Sequence, residues 1–192
     1  SPAPSYVAGA VSSSTSGAIS LANSMSGVPN QYVTANYSPG TAFTLSFWFN
    51  PQAAVTGQTS VLCFGNNSST FSFFVGLGVG IIFVQYLASD GTYPTTATAP
   101  ITVGAWHHVW VTYSQANGIV FYLNGHLVGT TVGKAIQSTP NMFRIGAYAH
   151  NLSGAAFQGY IDDVRIWNSV ITTPPMVKLP WNAVSISGSG SY

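Results

Sequence analysis

The segment 43–51, FTLSFWFNP, alternates with the two-residue period of a β-strand. Phe43, Leu45, Phe47 and Phe49 fall on one face, and Thr44, Ser46 and Asn50 on the other. Trp48 breaks the pattern by standing among the polar residues. The irregularity recurs at 106–114, where Val109, Val111 and Tyr113 form the apolar row and His108, Trp110, Thr112 and Ser114 lie opposite. Similar short runs predict strands over 19–22, 31–35, 60–64, 71–77, 80–87, 119–124, 126–132, 141–147 and 159–167. Asn124-Gly125 joins two of them as a two-residue hairpin, and Asp90-Gly91, Asn117-Gly118 and the Ser-Pro-Gly at 38–40 mark further turns. No stretch is long and amphipathic enough to predict a helix. The longest apolar run, 73–84, is broken by Gly76, Gly78 and Gly80 and is too short to cross a bilayer as a helix, so membrane insertion is not expected. Short strands with tight turns predict an all-β fold of two antiparallel sheets packed face to face.

The ends read differently from the body. Residues 1–17 are rich in Ser, Pro, Gly and Ala and are expected to form an extended arm or linker. Its apolar members, Tyr6, Val7 and Val11, are expected to pair with a sheet edge of their own domain or of a neighbour. The opening SPAPS, with neither an initiator Met nor a signal-peptide core, is expected to begin a mature or excised segment. Residues 174–192 are Pro-broken and then Gly/Ser-rich, expected as a strap anchored by Trp181 with a loose end.

Composition adds one strong constraint. Of 192 residues, 46% are apolar and 14% aromatic, enough for one full-sized core. Only 4% are charged: Lys134, Arg144, Arg165 and Lys178 against Asp90, Asp162 and Asp163, with no glutamate. An ordinary domain carries about a quarter charged residues. A net charge of +1 gives little repulsion between monomers, so glycans or sister subunits in an oligomer or polymer are expected to cover this surface. Four scattered cations also make no basic stripe, which argues against nucleic acid and against docking on anionic lipid. Cys63 is the sole cysteine, so no intrachain disulfide forms, and in VLCFG it reads as a small buried hydrophobe.

Four segments carry a family resemblance in the right order: ISLANSMSGVPNQYV at 19–33, FTLSFWFNP at 43–51, WHHVWVTYSQANGIVFYLNGHLVGTTVG at 106–133 and GYIDDVRIWNSVIT at 159–172. Together they resemble laminin-G-like domains of the concanavalin A-like lectin/glucanase superfamily, over about 18–173. The resemblance implies a jelly-roll sandwich of two curved sheets. Acidic residues usual in the first segment appear here as Asn23, Asn30 and Gln31. The superfamily includes lectins, adhesion modules, structural parts and some glycosidases, so fold alone does not choose among them.

Catalysis by the superfamily's glycosidases needs two carboxylates flanking one bond. Here Asp162 and Asp163 are adjacent and point to opposite faces of a strand, while Asp90 lies in a turn, so no catalytic residues and no enzyme are expected. Asp162 shares a predicted face with Val164 and Ile166 and is expected to accept backbone N–H bonds from a neighbouring loop. Its functional alternative is a structural Ca²⁺, as in many relatives, but most acidic partners are missing and no cofactor is expected. Asp163 and Arg165 are expected to form a local ion pair. His107, His108, His126 and His150 show no metal-binding spacing.

The off-pattern aromatics remain. Trp167 shares a face with Arg165, and Tyr122 falls opposite Phe121 and Leu123. Aromatic rings beside polar groups suit stacking on the apolar face of a sugar. Burial under loops, a third sheet or a subunit is the competing explanation. Relatives also carry a Trp at the position of Trp48, which favours packing there, but more often a small residue at that of Trp110. The expected ligand-binding set is therefore Trp110, His108, Tyr122 and Trp167. Asn36, Asn66, Asn67 and Asn151 head glycosylation sequons in predicted loops. The functional expectation is a non-catalytic extracellular surface protein: a structural or adhesive subunit of a cell-surface, filament or virion-surface assembly. The alternative is a lectin-like carbohydrate-binding module.

Overall fold

The computed structural model describes residues 5–8, 17–23, 30–66, 71–137, 140–149 and 155–174. These form strands β1 (Ser5–Ala8), β2 (Gly17–Ala22), β3 (Val33–Asn36), β4 (Ala42–Pro51), β5 (Thr59–Gly65), β6 (Phe71–Gly78) and β7 (Ile81–Tyr86). They continue with β8 (Ala99–Pro100), β9 (His107–Ser114), β10 (Gly118–Leu123), β11 (His126–Thr130), β12 (Met142–Ile145), β13 (Ala155–Ala156) and β14 (Gln158–Trp167). One sheet runs β1-β2-β14-β4-β9-β10-β11, and the other β3-β12-β5-β6-β7-β8. Neighbours on both paths are antiparallel, and β13 adds a short parallel pairing to β5. The two-sheet sandwich expected from alternation is the observed fold. The arm's β1 pairs with β2 of its own domain, Tyr6 opposite Ile19 and Val7 opposite Ala18, while Val11 lies outside the described residues.

Between the sheets, the inward rows meet as predicted. Phe43 of β4 lies with its ring centroid 5.0 Å from Phe73, 5.4 Å from Phe64 and 5.4 Å from Tyr113, and all four rings are almost fully buried. Each such ring contributes roughly 1.5–3 kcal/mol by leaving water. The Asn124-Gly125 turn takes left-handed φ values of 53° and 82°, matching the hairpin that the dipeptide predicts.

One expectation is corrected in β14. Asp162 pairs with Trp48 and Arg165 with Ser46, so three steps along β14 match two along β4. Asp163 absorbs the extra residue as a bulge with φ 49°. The bulge reverses the strand's phase, so Asp162 shares the outer face with Trp48 rather than the face of Val164 and Ile166.

Outside the second sheet, Phe74 and Phe83 fold edge to face at 5.4 Å over Gly76. A Cβ at Gly76 would overlap both rings. Gly76→Ala is therefore expected to cost about 1–3 kcal/mol in urea unfolding; an unchanged midpoint would show that the rings yield freely.

Candidate functional site

The expected ligand-binding set does assemble on one face. Trp110 stands opposite Ser46 on one side and Tyr122 on the other, and its ring lies 5.4 Å from Trp167. His108 stands opposite Trp48 with ring centroids 5.0 Å apart, and its Nε2 is 2.9 Å from Ser46 Oγ. The face is not open, however. Trp110 is 2% exposed and His108 5%, while Tyr122 and Trp167 are half-buried. Trp110 is thus corrected from exposed platform to buried packing residue, and Trp48 is buried as expected.

Part of the reason is local. After β14 the chain turns back onto this face, where the Thr44 hydroxyl donates to Ser169 O and accepts from Ile171 N–H. Every residue of β4 from Phe43 to Pro51 is buried, so both of its faces are covered. The Trp110 Nε1 and His108 Nδ1 atoms are buried without hydrogen-bond partners. Burial also pushes the His108 imidazole down to about 4, with Asp163 raising it and Arg165 lowering it.

The remaining expectations are placed as follows. Asp162 is buried, and its Oδ1 accepts the Asp163 N–H at 2.8 Å, within its own bulge. Asp163 and Arg165 form the expected ion pair at 2.7 Å. Among the described residues, no three His, Cys, Asp or Glu side chains gather as a metal site. Asn36 is exposed at the end of β3 rather than in a loop, and Asn66 is half-buried. Asn67, Asn151, His150, Trp181 and the strap beyond residue 174 lie outside the described residues.

A different place offers an open site. Beyond β7 the chain at 92–96 continues the edge of the second sheet: Tyr86 N–H donates to Pro94 O and Thr96 N–H to Val84 O. Beyond β11 the chain at 131–137 closes against it, with Ser89 N–H donating to Ala135 O and the Tyr86 hydroxyl to Val132 O. Between them lies a groove of about 450 Å³. Its floor and walls come from Thr92, Tyr93, Pro94 and Thr95 on one side and Thr130, Thr131, Val132 and Lys134 on the other. Tyr93 is 51% exposed and Val132 75%, a large apolar exposure for so ordered a segment. Phe71 backs the Tyr93 ring at 5.8 Å, and Pro94 restricts its backbone.

Polar groups converge at one end of the groove. Lys134 Nζ lies 2.7 Å from Asp90 Oδ2 and 3.0 Å from Thr92 Oγ1. Thr92 donates its N–H and its hydroxyl to Asp90 Oδ1. The Lys134 ammonium and these Thr92 donors hold the Asp90 carboxyl well below the usual carboxylate range. An exposed ring, threonine hydroxyls and a fixed ion pair make a surface suited to a polyhydroxylated ligand with one apolar face. Sequence reading missed this site. Its signal was Tyr93-Pro94 one residue after the Asp90-Gly91 turn, but nothing local shows that 130–134 forms the opposite wall.

A family model for the concanavalin A-like lectin/glucanases superfamily, of laminin-G type, matches residues 13–174, and the chain belongs to that family. No curated protein matches the sequence. Among solved structures, the chain is similar to the receptor-binding domain of botulinum neurotoxin type G, at 16% identity and TM-score 0.60, covering 81% of this chain and 40% of that one. It is also similar to the serotype D ligand-binding domain in complex with N-acetylneuraminic acid, at 11% identity and TM-score 0.63, covering 81% and 39%. A third is the binding domain of Paraclostridial Mosquitocidal Protein 1, at 15% identity and TM-score 0.64, covering 88% and 43%. The chain thus spans about two fifths of each of these structures, and the likeness establishes the jelly-roll fold.

Proposed function

We propose that this domain is a non-catalytic carbohydrate-recognition module acting at a cell or virion surface, and that its ligand occupies the groove beside Tyr93. The observation that carries the reading is a half-exposed aromatic ring, rigidly backed, at the mouth of a groove lined by hydroxyls. The complex of the serotype D domain with N-acetylneuraminic acid supports it as an example of a similar fold holding a sugar. Asp90 is the one carboxylate beside the groove and is fixed in an ion pair, which favours binding over hydrolysis.

Tyr93→Ala tests the proposal. On a glycan array followed by calorimetry, binding is expected to weaken about tenfold or more. The melting temperature is expected to move by less than about 2 °C, because the ring is already half in water. Unchanged affinity, or an array on which the intact chain binds nothing, overturns the reading.

A second reading keeps its own support. With Lys+Arg 4 and Asp+Glu 3 in 192 residues, the surface has little charge to keep copies apart. That favours a structural or adhesive subunit of a homo-oligomeric or polymeric surface assembly, and a chain that sediments as a monomer at high concentration would count against it. The two readings are compatible, since an assembled array of such domains presents many grooves at once.

A further inference from the structure

The groove's polar corner says more about its ligand than that it carries hydroxyls. Resting on the carbohydrate reading above, we infer that the groove selects neutral saccharides presenting a vicinal diol and disfavours sialylated or sulfated ones. The Asp90–Lys134 pair is the reading element.

Among the described residues, Lys134 is the one cation lining the groove, and Asp90 neutralises it at 2.7 Å. Arg165 is paired with Asp163, and Arg144 donates to Tyr148 O and lies over the Tyr32 ring. Among the described residues, a carboxylate or sulfate entering the groove therefore meets no unpaired cation, and it approaches the Asp90 carboxylate instead. Like charges so close are mutually unfavourable even near the surface.

An ammonium has three N–H donors, and Lys134 uses two, toward Asp90 Oδ2 and Thr92 Oγ1. Asp90 Oδ1 accepts two bonds from Thr92, while Oδ2 accepts from Lys134 and keeps lone-pair capacity. One free donor and one free acceptor thus stand side by side in a fixed frame. Two adjacent sugar hydroxyls fit that arrangement, one accepting from the ammonium and its neighbour donating to the carboxylate. A phosphate or carboxylate ligand satisfies only the donor half. A lone hydroxyl engages half of the pair.

Thr92 touches both elements of the pair and is followed directly by Tyr93, so the polar corner and the aromatic platform share one backbone segment. A pyranose lying against the Tyr93 ring turns its hydroxyl-bearing edge toward the pair, and the exposed Val132 supplies an apolar wall across the groove. The half-exposed pair keeps the corner wet, so the recognition is moderate in strength and gains from multiple copies.

The test uses the full chain and a panel of lactose- and mannose-terminated glycans, each with its sialylated and sulfated counterpart. Neutral members are expected to bind, and the acidic counterparts to bind about tenfold or more weakly. Affinity for the neutral members is expected to change less than about twofold between roughly 0.05 and 0.5 M salt. Asp90→Asn removes the carboxylate and unmasks Lys134, so this variant is expected to lose affinity for neutral glycans and gain it for sialylated ones. A wild-type chain that prefers acidic glycans, with affinity falling as salt rises, overturns the inference and leaves carbohydrate recognition standing. So does an Asp90→Asn variant with unaltered preference. Binding to no glycan of either class removes both.

Discussion

Trp110→Ala is expected to lower the free energy of unfolding by about 3–5 kcal/mol, measured by urea denaturation at neutral pH. The side chain is 2% exposed, stands between Ser46 and Tyr122 across two strand pairs, and meets the Trp167 ring at 5.4 Å. Truncation removes an indole from a face whose central strand is covered on both sides, and a surrounding sheet has little freedom to collapse into the void. Trp110→Phe is expected to cost less than half as much. It keeps most of the buried ring and also removes the Nε1–H, which has no acceptor and is itself unfavourable in a buried site. An exposed sugar-stacking tryptophan would behave in the opposite way, losing ligand affinity on truncation while leaving stability nearly unchanged. A Trp110→Ala variant as stable as the parent would return this residue to the ligand-binding set. The contrast with Tyr93→Ala separates a packing aromatic from a contact aromatic by experiment.

The pattern that identified the sheets also explains why Trp110 read as a ligand-binding residue. Alternation in 43–51 and 106–114 reports which residues share a face, and both rows were read correctly: Phe43, Leu45, Phe47 and Phe49 meet Val109, Val111 and Tyr113 in the core. Alternation does not report what lies above the other face. Trp110 lies against Trp167 of another strand, and the segment after Trp167 returns over Thr44, a contact between residues more than a hundred positions apart. Asp162 was misplaced for a related reason. A strand's period is fixed only until a bulge; counting back from Val164 and Ile166 across Asp163 put Asp162 on their face, whereas Ile161, three positions before Val164, keeps the earlier phase. The groove was invisible because its walls, at 92–95 and 130–134, become neighbours through long-range contacts such as Tyr86–Val132, Ser89–Ala135 and Asp90–Lys134. Residues that fix strands are local in sequence; the ones that fix this site are brought together by sheet edges.

Acidification is expected to remove about 2–3 kcal/mol of stability through His108 as the pH falls from 7 to about 4.5. In the folded chain the imidazole is held down to about 4, chiefly because it is buried, whereas in the unfolded chain it titrates near its ordinary 6.5. The folded state therefore binds fewer protons than the unfolded state between those values. Stability from this group is complete above the unfolded value, declines as pH falls toward the folded one, and declines no further below it. Geometry gives the reason independently. Whichever nitrogen carries the proton in the neutral ring, Nε2 is satisfied by Ser46 Oγ at 2.9 Å, while Nδ1 is buried without a partner. Protonation makes Nδ1 a charged donor with no acceptor in a site 5% exposed. Asp163 and Arg165, the nearby charges, act in opposite directions and leave burial dominant. His107 is depressed by burial too and adds to the same acid loss, whereas Asp90 titrates below this window. The informative measurement is the difference in urea stability between pH 7 and pH 4.5 for the parent and for His108→Gln, which keeps a neutral hydrogen-bonding group near Ser46. The variant is expected to lose about 2 kcal/mol less than the parent over that interval, whatever its absolute stability. Equal losses would mean that His108 titrates as an ordinary histidine and that the outer face admits water.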